Sequence, residues 1–294
     1  MTGEANHKIA ISGDLGSGKS TVCRLLKERL SFGSYSMGET WRRLAEKYQM
    51  TILELNRYSE THPLDEEMDR DLTETGQAPG NMIFDSRLAW HFVPDSFKVH
   101  LVVDSRIAAS RIYNDLRGQA EGYASVEQAH ALLQERKASE NRRYLQKYGV
   151  DCTRLQNYDL VVDTSMASPE RIAELICTCF EAWRNGKTFT PLWLSPQSLF
   201  PARESDGSGC DRSEVALLEV DCFLYIWEGL ETVSHALREG SPWVAARVIA
   251  RDEEFPATRN DSARKLVQKH CRLELLQDWE AQHQFRFSKY PSIF

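Results

Sequence analysis

A complete phosphate-binding motif near the amino terminus constrains this chain more than any other feature. Residues 13–20 read GDLGSGKS and fit G-x-x-x-x-G-K-[ST] at every position. The apolar segment 8–12 before the motif predicts a strand, and the amphipathic segment 19–30 predicts a helix. Glycines let the backbone N–H groups of such a loop surround phosphate oxygens, and the following helix directs its positive end at the same anion. We therefore predict a phosphate-binding loop (P-loop, residues 13–20) between a strand and a helix.

The motif also predicts which residues contact a nucleoside triphosphate. The residues expected to bind ATP are Gly13, Asp14, Leu15, Gly16, Ser17, Gly18, Lys19, Ser20 and Thr21. Lys19 is the expected catalytic cation at the β- and γ-phosphates, and Ser20 is the expected ligand of Mg²⁺. A chance glycine-rich turn is the alternative, but the strand before the loop and the helix after it favour the functional interpretation.

Strand-like and helix-like segments alternate over the first ~180 residues, which is typical of a parallel sheet. The further strands are predicted at 81–85, 97–103 and 159–163, and the further helices at 41–48, 51–60, 106–116, 126–148 and 169–183. Thr51 with Glu54 forms a predicted capping box, and Ser168 with Pro169 is a predicted helix start. The fold class predicted for this part is α/β, a P-loop NTPase sheet with helices on both faces.

The pattern changes after Gly186, and two domains are predicted, at 1–186 and 187–294. In the second part, strands are predicted at 215–220, 223–227 and 243–250, with a helix at 232–238 and one amphipathic helix over 262–281. A smaller α+β domain is expected there.

Composition and charge exclude several classes of protein. Hydrophobic residues make up 41% and charged residues 27% of the chain, which is ordinary for a globular protein and not for a disordered one. The net charge of −7 is shared between both parts, so neither part is a basic nucleic-acid-binding block. The apolar runs are too short to span a bilayer, and the amino terminus lacks the features of a signal peptide. We expect a cytoplasmic protein with reduced cysteines and neither a membrane nor nucleic acid as partner.

Several spaced blocks after the P-loop resemble the type 2 (archaeal-like) cytidylate kinases, a branch of the nucleoside monophosphate kinases. The blocks read SMG at 36–38, ELN at 54–56, FDSRLAW at 84–90, SE at 139–140, RRY at 142–144, YGVD at 148–151 and YDLVVDTS at 158–165. Two features depart from the family pattern: Ser86 stands where a glycine is usual, and the lid segment 118–124 is less basic than expected.

The resemblance implies transfer of a phosphoryl group from ATP, with Mg²⁺, to a nucleoside monophosphate, CMP or dCMP. The implied acceptor-binding residues are Ser36, Gly38, Arg42, Tyr58, Asp65 and Arg87. Asp85 would join Ser20 at the metal, directly or through water. Arg117, Arg136 and Arg143 would belong to a mobile lid whose arginines close over the transferring group. Such converging arginines suit a reaction in which the phosphates supply the reacting atoms.

Other interpretations remain open at this point. The arginines could form ion pairs on helix surfaces, and we assign Arg106 and Arg111 to that class. The whole protein could be a nucleotide sensor in which ATP binding signals through the second domain. It could also be a kinase of a small molecule that is not a nucleotide.

Residues 194–201 (LSPQSLFP) and 225–240 resemble parts of the ParB/sulfiredoxin-like domains. In that family the turn after the central strand carries a His/Arg pair that contacts phosphate, whereas Leu230, Glu231 and Thr232 follow Glu228 and Gly229 here. Without those cations, phosphate binding at this turn is not expected. We expect an interaction or regulatory module that binds a protein partner and is dispensable for phosphoryl transfer.

Overall fold

The fold is described from a computed structural model that covers residues 6–51, 54, 55, 58, 62, 64–114, 123–204, 213–257 and 261–291. The strands in this part of the chain are β1 (Lys8–Gly13), β2 (Gly33–Ser36), β3 (Met82–Asp85), β4 (Phe97–Val102), β5 (Leu160–Asp163), β6 (Leu192–Leu194), β7 (Phe200–Pro201), β8 (Val215–Val220), β9 (Phe223–Glu228) and β10 (Val244–Arg251). The α/β fold class predicted from the sequence is confirmed.

The α-helices bounded within the described residues are α1 (Lys19–Leu30), α2 (Met37–Lys47), α3 (Leu64–Gln77), α4 (Ala89–Phe92), α5 (Ser105–Asn114), α6 (Val126–Tyr148), α7 (Pro169–Arg184), α8 (Leu230–Arg238), α9 (Ala263–His270) and α10 (Leu273–His283). None of these helices is both long and apolar enough to cross a membrane.

Side-chain caps explain where several helices begin. Ser36 accepts a hydrogen bond from the first turn of α2, so this helix begins at Met37 and not at residue 41 as predicted. Thr51 and Glu54 form the predicted capping box, with the Thr51 N–H donating to Glu54 Oε2 at 2.7 Å and the Glu54 N–H donating to Thr51 Oγ1 at 3.2 Å. Ser168 caps α7, and Pro169 occupies its first position as predicted.

β1 lies in the middle of five parallel strands with the order β2-β3-β1-β4-β5. α1 and α7 cover one face of these strands, where Ile9, Ile11 and Leu101 are fully buried. Because the strands are parallel, their carboxyl ends meet at one edge of the sheet, which is where open α/β sheets bind ligands. Asp85 and Asp163 end β3 and β5 at this edge.

The sheet continues into the residues after Gly186. β6 pairs in parallel with β5 and antiparallel with β10, and β8, β9 and β7 complete a ten-stranded sheet of the described residues. Tyr158 and Val161 of the first part belong to the hydrophobic core of the second part. The predicted division into 1–186 and 187–294 stays a prediction, and the two parts share one sheet and one core cluster.

The single helix predicted over 262–281 is wrong. α9 and α10 are separated by Cys271 and Arg272, whose backbone is extended, with ψ angles of 127° and 151°. The break lets Val267 of α9 and Leu276 of α10 bury themselves in the same core, and Cys271 is buried between them. Both halves bury apolar residues as their periodicity predicts, but one straight helix could not direct both apolar faces into this core.

Candidate active site

The P-loop folds over the carboxyl end of β1. Gly13 ends this strand, and the N–H of Asp14 donates to the carbonyl of Leu101 in β4 at 2.8 Å. Gly16 has a φ of 77°, and a Cβ at this position would lie 2.9 Å from the backbone of α5. The left-handed backbone and the close approach both require glycine at residue 16. α1 begins at Lys19, so its amino-terminal N–H groups face the space that the loop encloses.

Lys19, Ser20 and Asp85 meet at this loop. Nζ of Lys19 forms an ion pair with Oδ1 of Asp85, and Oγ of Ser20 donates to Oδ2 of Asp85 at 3.1 Å. Burial, with the positive charge of nearby Arg87 as a smaller cause, lowers the pKa of Lys19 to about 8. Hydroxyl and carboxylate oxygens are ligands that Mg²⁺ prefers, directly or through water. The two residues assigned to the metal from the sequence therefore lie within one hydrogen bond of each other.

Glu140 of α6 binds two of the predicted arginines. Its Oε2 forms an ion pair with Nη1 of Arg87, and its Oε1 accepts a hydrogen bond from Nε of Arg136 at 3.1 Å. The backbone carbonyl of Arg87 accepts a hydrogen bond from Ser12 Oγ at 3.1 Å, which ties the turn after β3 to β1. The arginine assigned to the acceptor and an arginine assigned to the lid thus share one carboxylate. Glu140 lies in one of the sequence blocks that resemble the family, and the motifs predict no role for it.

α6 also contacts the P-loop directly. Nζ of Lys137 lies 2.6 Å from Oδ1 of Asp14. The exposed Arg143 lies over the ring of its neighbour Tyr144, 5.5 Å from the ring centroid. Arg117 lies outside the described residues. The catalytic assignments of Arg117 and Arg143 stay predictions.

Ser36, Gly38 and Arg42 lie together at the amino end of α2. A Cβ on Gly38 would lie 4.0 Å from both Ser36 Oγ and Arg42 Nη1, so the guanidinium group folds back toward the first turn of the helix. Arg42 is exposed to solvent. A cation beside a helix amino terminus is well placed to bind an anionic group.

The remaining acceptor-side residues connect α3 to α6. Tyr58 is partly buried, in the segment before α3. Asp65, in the first turn of α3, lies 3.3 Å from Nζ of Lys147 in α6. The hydroxyl of Tyr148 donates to Asp69 Oδ2 at 2.5 Å. These contacts hold α3 against α6, the helix that carries Glu140.

The assignment of Arg111 to surface ion pairing is wrong. Its Nη1 donates to the carbonyl of Gly16 at 3.3 Å, and its Nη2 donates to the carbonyls of Thr164 and Ser165 at 2.7 and 3.2 Å. Arg111 therefore joins the P-loop to the turn after β5. The available signal was its place soon after the fourth strand, at the ligand-binding edge of the sheet. Arg106 is exposed, and its assignment stays a prediction.

A cavity of about 480 Å³ opens beside the P-loop, which is a volume typical of small-molecule sites. Asp14, Arg87 and Glu140 line this cavity, together with Phe223 of the second part. His100 also lines it, and burial lowers the pKa of this imidazole to about 4. Residues after Gly186 therefore form part of the wall of the space next to the P-loop.

Comparison with known proteins places these features among kinases. Residues 9–132 match the family described as an AAA domain. The chain is 35% identical over 192 residues to a cytidylate kinase of Thermoplasma volcanium, and this alignment covers 63% of the chain and 96% of that protein. It is 35% identical over 170 residues to a cytidylate kinase of Pyrococcus furiosus, covering 57% of the chain and 85% of that protein. A solved shikimate kinase from Bacteroides thetaiotaomicron superposes with a TM-score of 0.44 at 15% identity, over 60% of this chain and 99% of that one.

Proposed function

The chain belongs to the cytidylate kinase family, and we propose that it transfers the γ-phosphoryl group of ATP to CMP or dCMP, giving ADP and the nucleoside diphosphate. It is a nucleoside monophosphate kinase. The alignment along 96% of a cytidylate kinase carries this conclusion, because its 192 residues extend far beyond the P-loop. A protein that only sensed ATP does not need Arg42 and Arg87 beyond that loop.

In the proposed reaction the protein contributes position and charge, since the reacting atoms belong to the phosphates. The N–H groups of the P-loop and the ammonium group of Lys19 hold the β- and γ-phosphates. Arg87 and Arg136 leave Glu140 when the anionic substrates enter, and their guanidinium groups then bind the acceptor phosphate and the transferring group. The attacking oxygen is a phosphate oxygen of the acceptor, so no side chain has to act as a general base.

We propose that Ser20 and Asp85 hold Mg²⁺ when ATP is bound. The support is the hydroxyl–carboxylate pair, whose oxygens are 3.1 Å apart at the mouth of the P-loop. A bound Mg²⁺ would neutralise charge on the β- and γ-phosphate oxygens. Lys19 would then exchange its contact with Asp85 for contacts with phosphate, which leaves the carboxylate available to the metal or its water.

The acceptor is proposed to bind between α2 and α3. Arg42, with Ser36 and Gly38 beside it, would bind the monophosphate. Tyr58 offers a ring to the base, and Asp65 can accept a hydrogen bond from an exocyclic amino group, which cytosine has and uracil lacks. The interaction of Asp65 with Lys147 supports this placement, because it holds α3 next to the helix that carries Glu140.

For residues 187–294 we propose a ParB/sulfiredoxin-like relationship and a role in binding a protein partner. The support is the sequence LSPQSLFP and the turn at Glu228 and Gly229, which lacks the phosphate-binding cations of that family. This part of the chain is not proposed to hydrolyse nucleotides.

A coupled ADP-release assay with CMP, dCMP, UMP, AMP, GMP and no acceptor tests the proposed function. We expect the highest kcat/KM with CMP or dCMP and little ADP release without an acceptor. Equal ADP release with and without every monophosphate would contradict the kinase assignment. Turnover confined to UMP, AMP or GMP would overturn the choice of cytosine.

A further inference from the structure

The end of β5 is one place where the two parts of the chain meet, and it carries a buried aspartate. Asp163 is 4% exposed. Its carboxylate accepts a hydrogen bond from the backbone N–H group of Ser165 at 2.8 Å. Its backbone carbonyl accepts a hydrogen bond from the indole Nε1 of Trp243 at 2.6 Å. Trp243 belongs to the second part, so this part holds the end of β5 through the indole N–H group.

The two residues after Asp163 in turn hold the P-loop. The carbonyls of Thr164 and Ser165 accept hydrogen bonds from Arg111, and the same guanidinium group donates to the carbonyl of Gly16. A continuous route therefore leads from the second part, through the turn after β5 and Arg111, to the loop that holds phosphate. A partly buried route of this kind can set the position of the loop, because each group has one arrangement that satisfies its hydrogen bonds.

We propose that Trp243 is a positioning residue for the donor nucleotide, acting through Asp163 and Arg111 on the P-loop. The proposal rests on the proposed function, since it takes the P-loop to be the ATP site. N–H groups that already point inward bind phosphate more tightly than groups that must be ordered on binding. Under this proposal residues after 186 contribute to ATP binding, in contrast to the expectation that they are dispensable, because truncation would remove the Trp243 donor.

Trp193 offers a matched control for Trp243. The two indoles pack edge to face with their ring centroids 6.3 Å apart, so they share one aromatic cluster. The Nε1 of Trp193 is buried, and it has no hydrogen-bond partner among the described residues. Trp243→Phe therefore removes a bonded donor, whereas Trp193→Phe removes an unbonded one, and both substitutions keep an aromatic ring in the cluster.

The experiment compares the full-length wild type with these two variants by calorimetric titration with ADP and by steady-state kinetics. Trp243→Phe should weaken ADP binding about threefold to tenfold, the effect expected when one hydrogen bond is lost. Its KM for ATP should rise by a similar factor, while its KM for CMP stays within about twofold of the wild-type value. Trp193→Phe should match the wild type. Unchanged ADP affinity in Trp243→Phe, or equal weakening by both variants, overturns the proposal.

Arg111→Lys tests the same route from its other end, and it replaces Trp243→Phe if that variant does not fold. The lysine keeps the charge but loses the planar fork that reaches three carbonyls, so ADP affinity should fall. In the double variant, Trp243→Phe should add little to Arg111→Lys, whereas additive effects overturn the proposal. ADP titration needs no acceptor. If the wild type phosphorylates no monophosphate, the proposed function fails while the ADP comparison still tests the route.

Discussion

Glu140→Gln is expected to destabilise the protein without its substrates, because one carboxylate holds two arginines. Glutamine has nearly the same volume and keeps one carbonyl oxygen, so packing is retained. The variant loses the negative charge that faces Arg87 and Arg136. The loss affects Arg87 most, because its charge would remain without a carboxylate partner in a site where the side chain is only 25% exposed and the guanidinium group cannot release its proton.

The size of the effect follows from the burial of the pair. Removing one partner of a buried ion pair costs about 3–5 kcal/mol. Glu140 and Arg87 are 18% and 25% exposed, so water screens part of their interaction, and the glutamine oxygen retains a hydrogen bond. We therefore expect the free energy of unfolding to fall by about 2 kcal/mol, with a decrease in Tm of about 4–6 °C for a chain of this size.

Calorimetric melting of the protein without nucleotide measures this change. Glu135→Gln is the matched control, since Glu135 lies on the same helix, is exposed, and undergoes the same change of charge. The control variant Glu135→Gln should have the same Tm as the wild type. Adding CMP and ADP should raise the Tm of Glu140→Gln more than that of the wild type, because its arginines are free to bind phosphate. If Glu140→Gln melts at the temperature of Glu135→Gln, the pairing of Glu140 with Arg87 does not stabilise the structure and our reasoning is refuted.

Three further predictions concern the site and its surroundings. Lys19→Ala should lower kcat/KM by on the order of a hundredfold to a thousandfold in the coupled ADP assay, since a cation at the transferring phosphate is lost. Wild-type turnover of this variant would contradict the assignment of Lys19 to the active site. Arg42→Ala should raise the KM for CMP at least about tenfold and leave the KM for ATP nearly unchanged. Replacing the exposed neighbour in the control variant Arg43→Ala should alter neither KM. An effect of Arg42→Ala confined to the KM for ATP would place Arg42 on the donor side. Burial lowers the pKa of His100 to about 4, so the folded protein keeps this imidazole neutral down to that pH. In the unfolded chain the same group takes up a proton near pH 6.5. Acidification from pH 6.5 to pH 4 should therefore lower the free energy of unfolding by about 3 kcal/mol. His100→Phe should remove that part of the pH dependence in urea unfolding, and identical pH profiles would contradict the buried neutral state.

The P-loop could be predicted from sequence because its requirements are local. Gly16 needs a left-handed backbone and Lys19 begins a helix, and both conditions are encoded within eight consecutive residues. Helix caps such as Ser168 are local in the same way, since the capping side chain and the N–H group that donates to it lie three residues apart. The pairing of Ser20 with Asp85 was also anticipated, because parallel strands bring their carboxyl ends to one edge.

The partners of Arg87, Arg111 and Trp243 could not be read from sequence in this way. Arg87 pairs with Glu140, more than fifty residues further along the chain, and Arg111 donates to carbonyl groups, which every residue carries. Trp243 likewise bonds a carbonyl, that of Asp163. The place of Arg111 soon after a strand indicates the edge of the sheet where it lies, but spacing and periodicity do not identify the distant backbone carbonyls that a side chain contacts.

The sequence by itself determined the phosphate loop, the alternation of strands and helices and the family, because each depends on short-range geometry or on blocks of matching residues. The tertiary structure decided which charges meet on Glu140, that residues 262–281 form two helices, and that the second part continues the sheet of the first. These features depend on which surfaces bury each other. Burial is a property of the assembled core, in which Tyr158 and Val161 pack with residues more than thirty positions away.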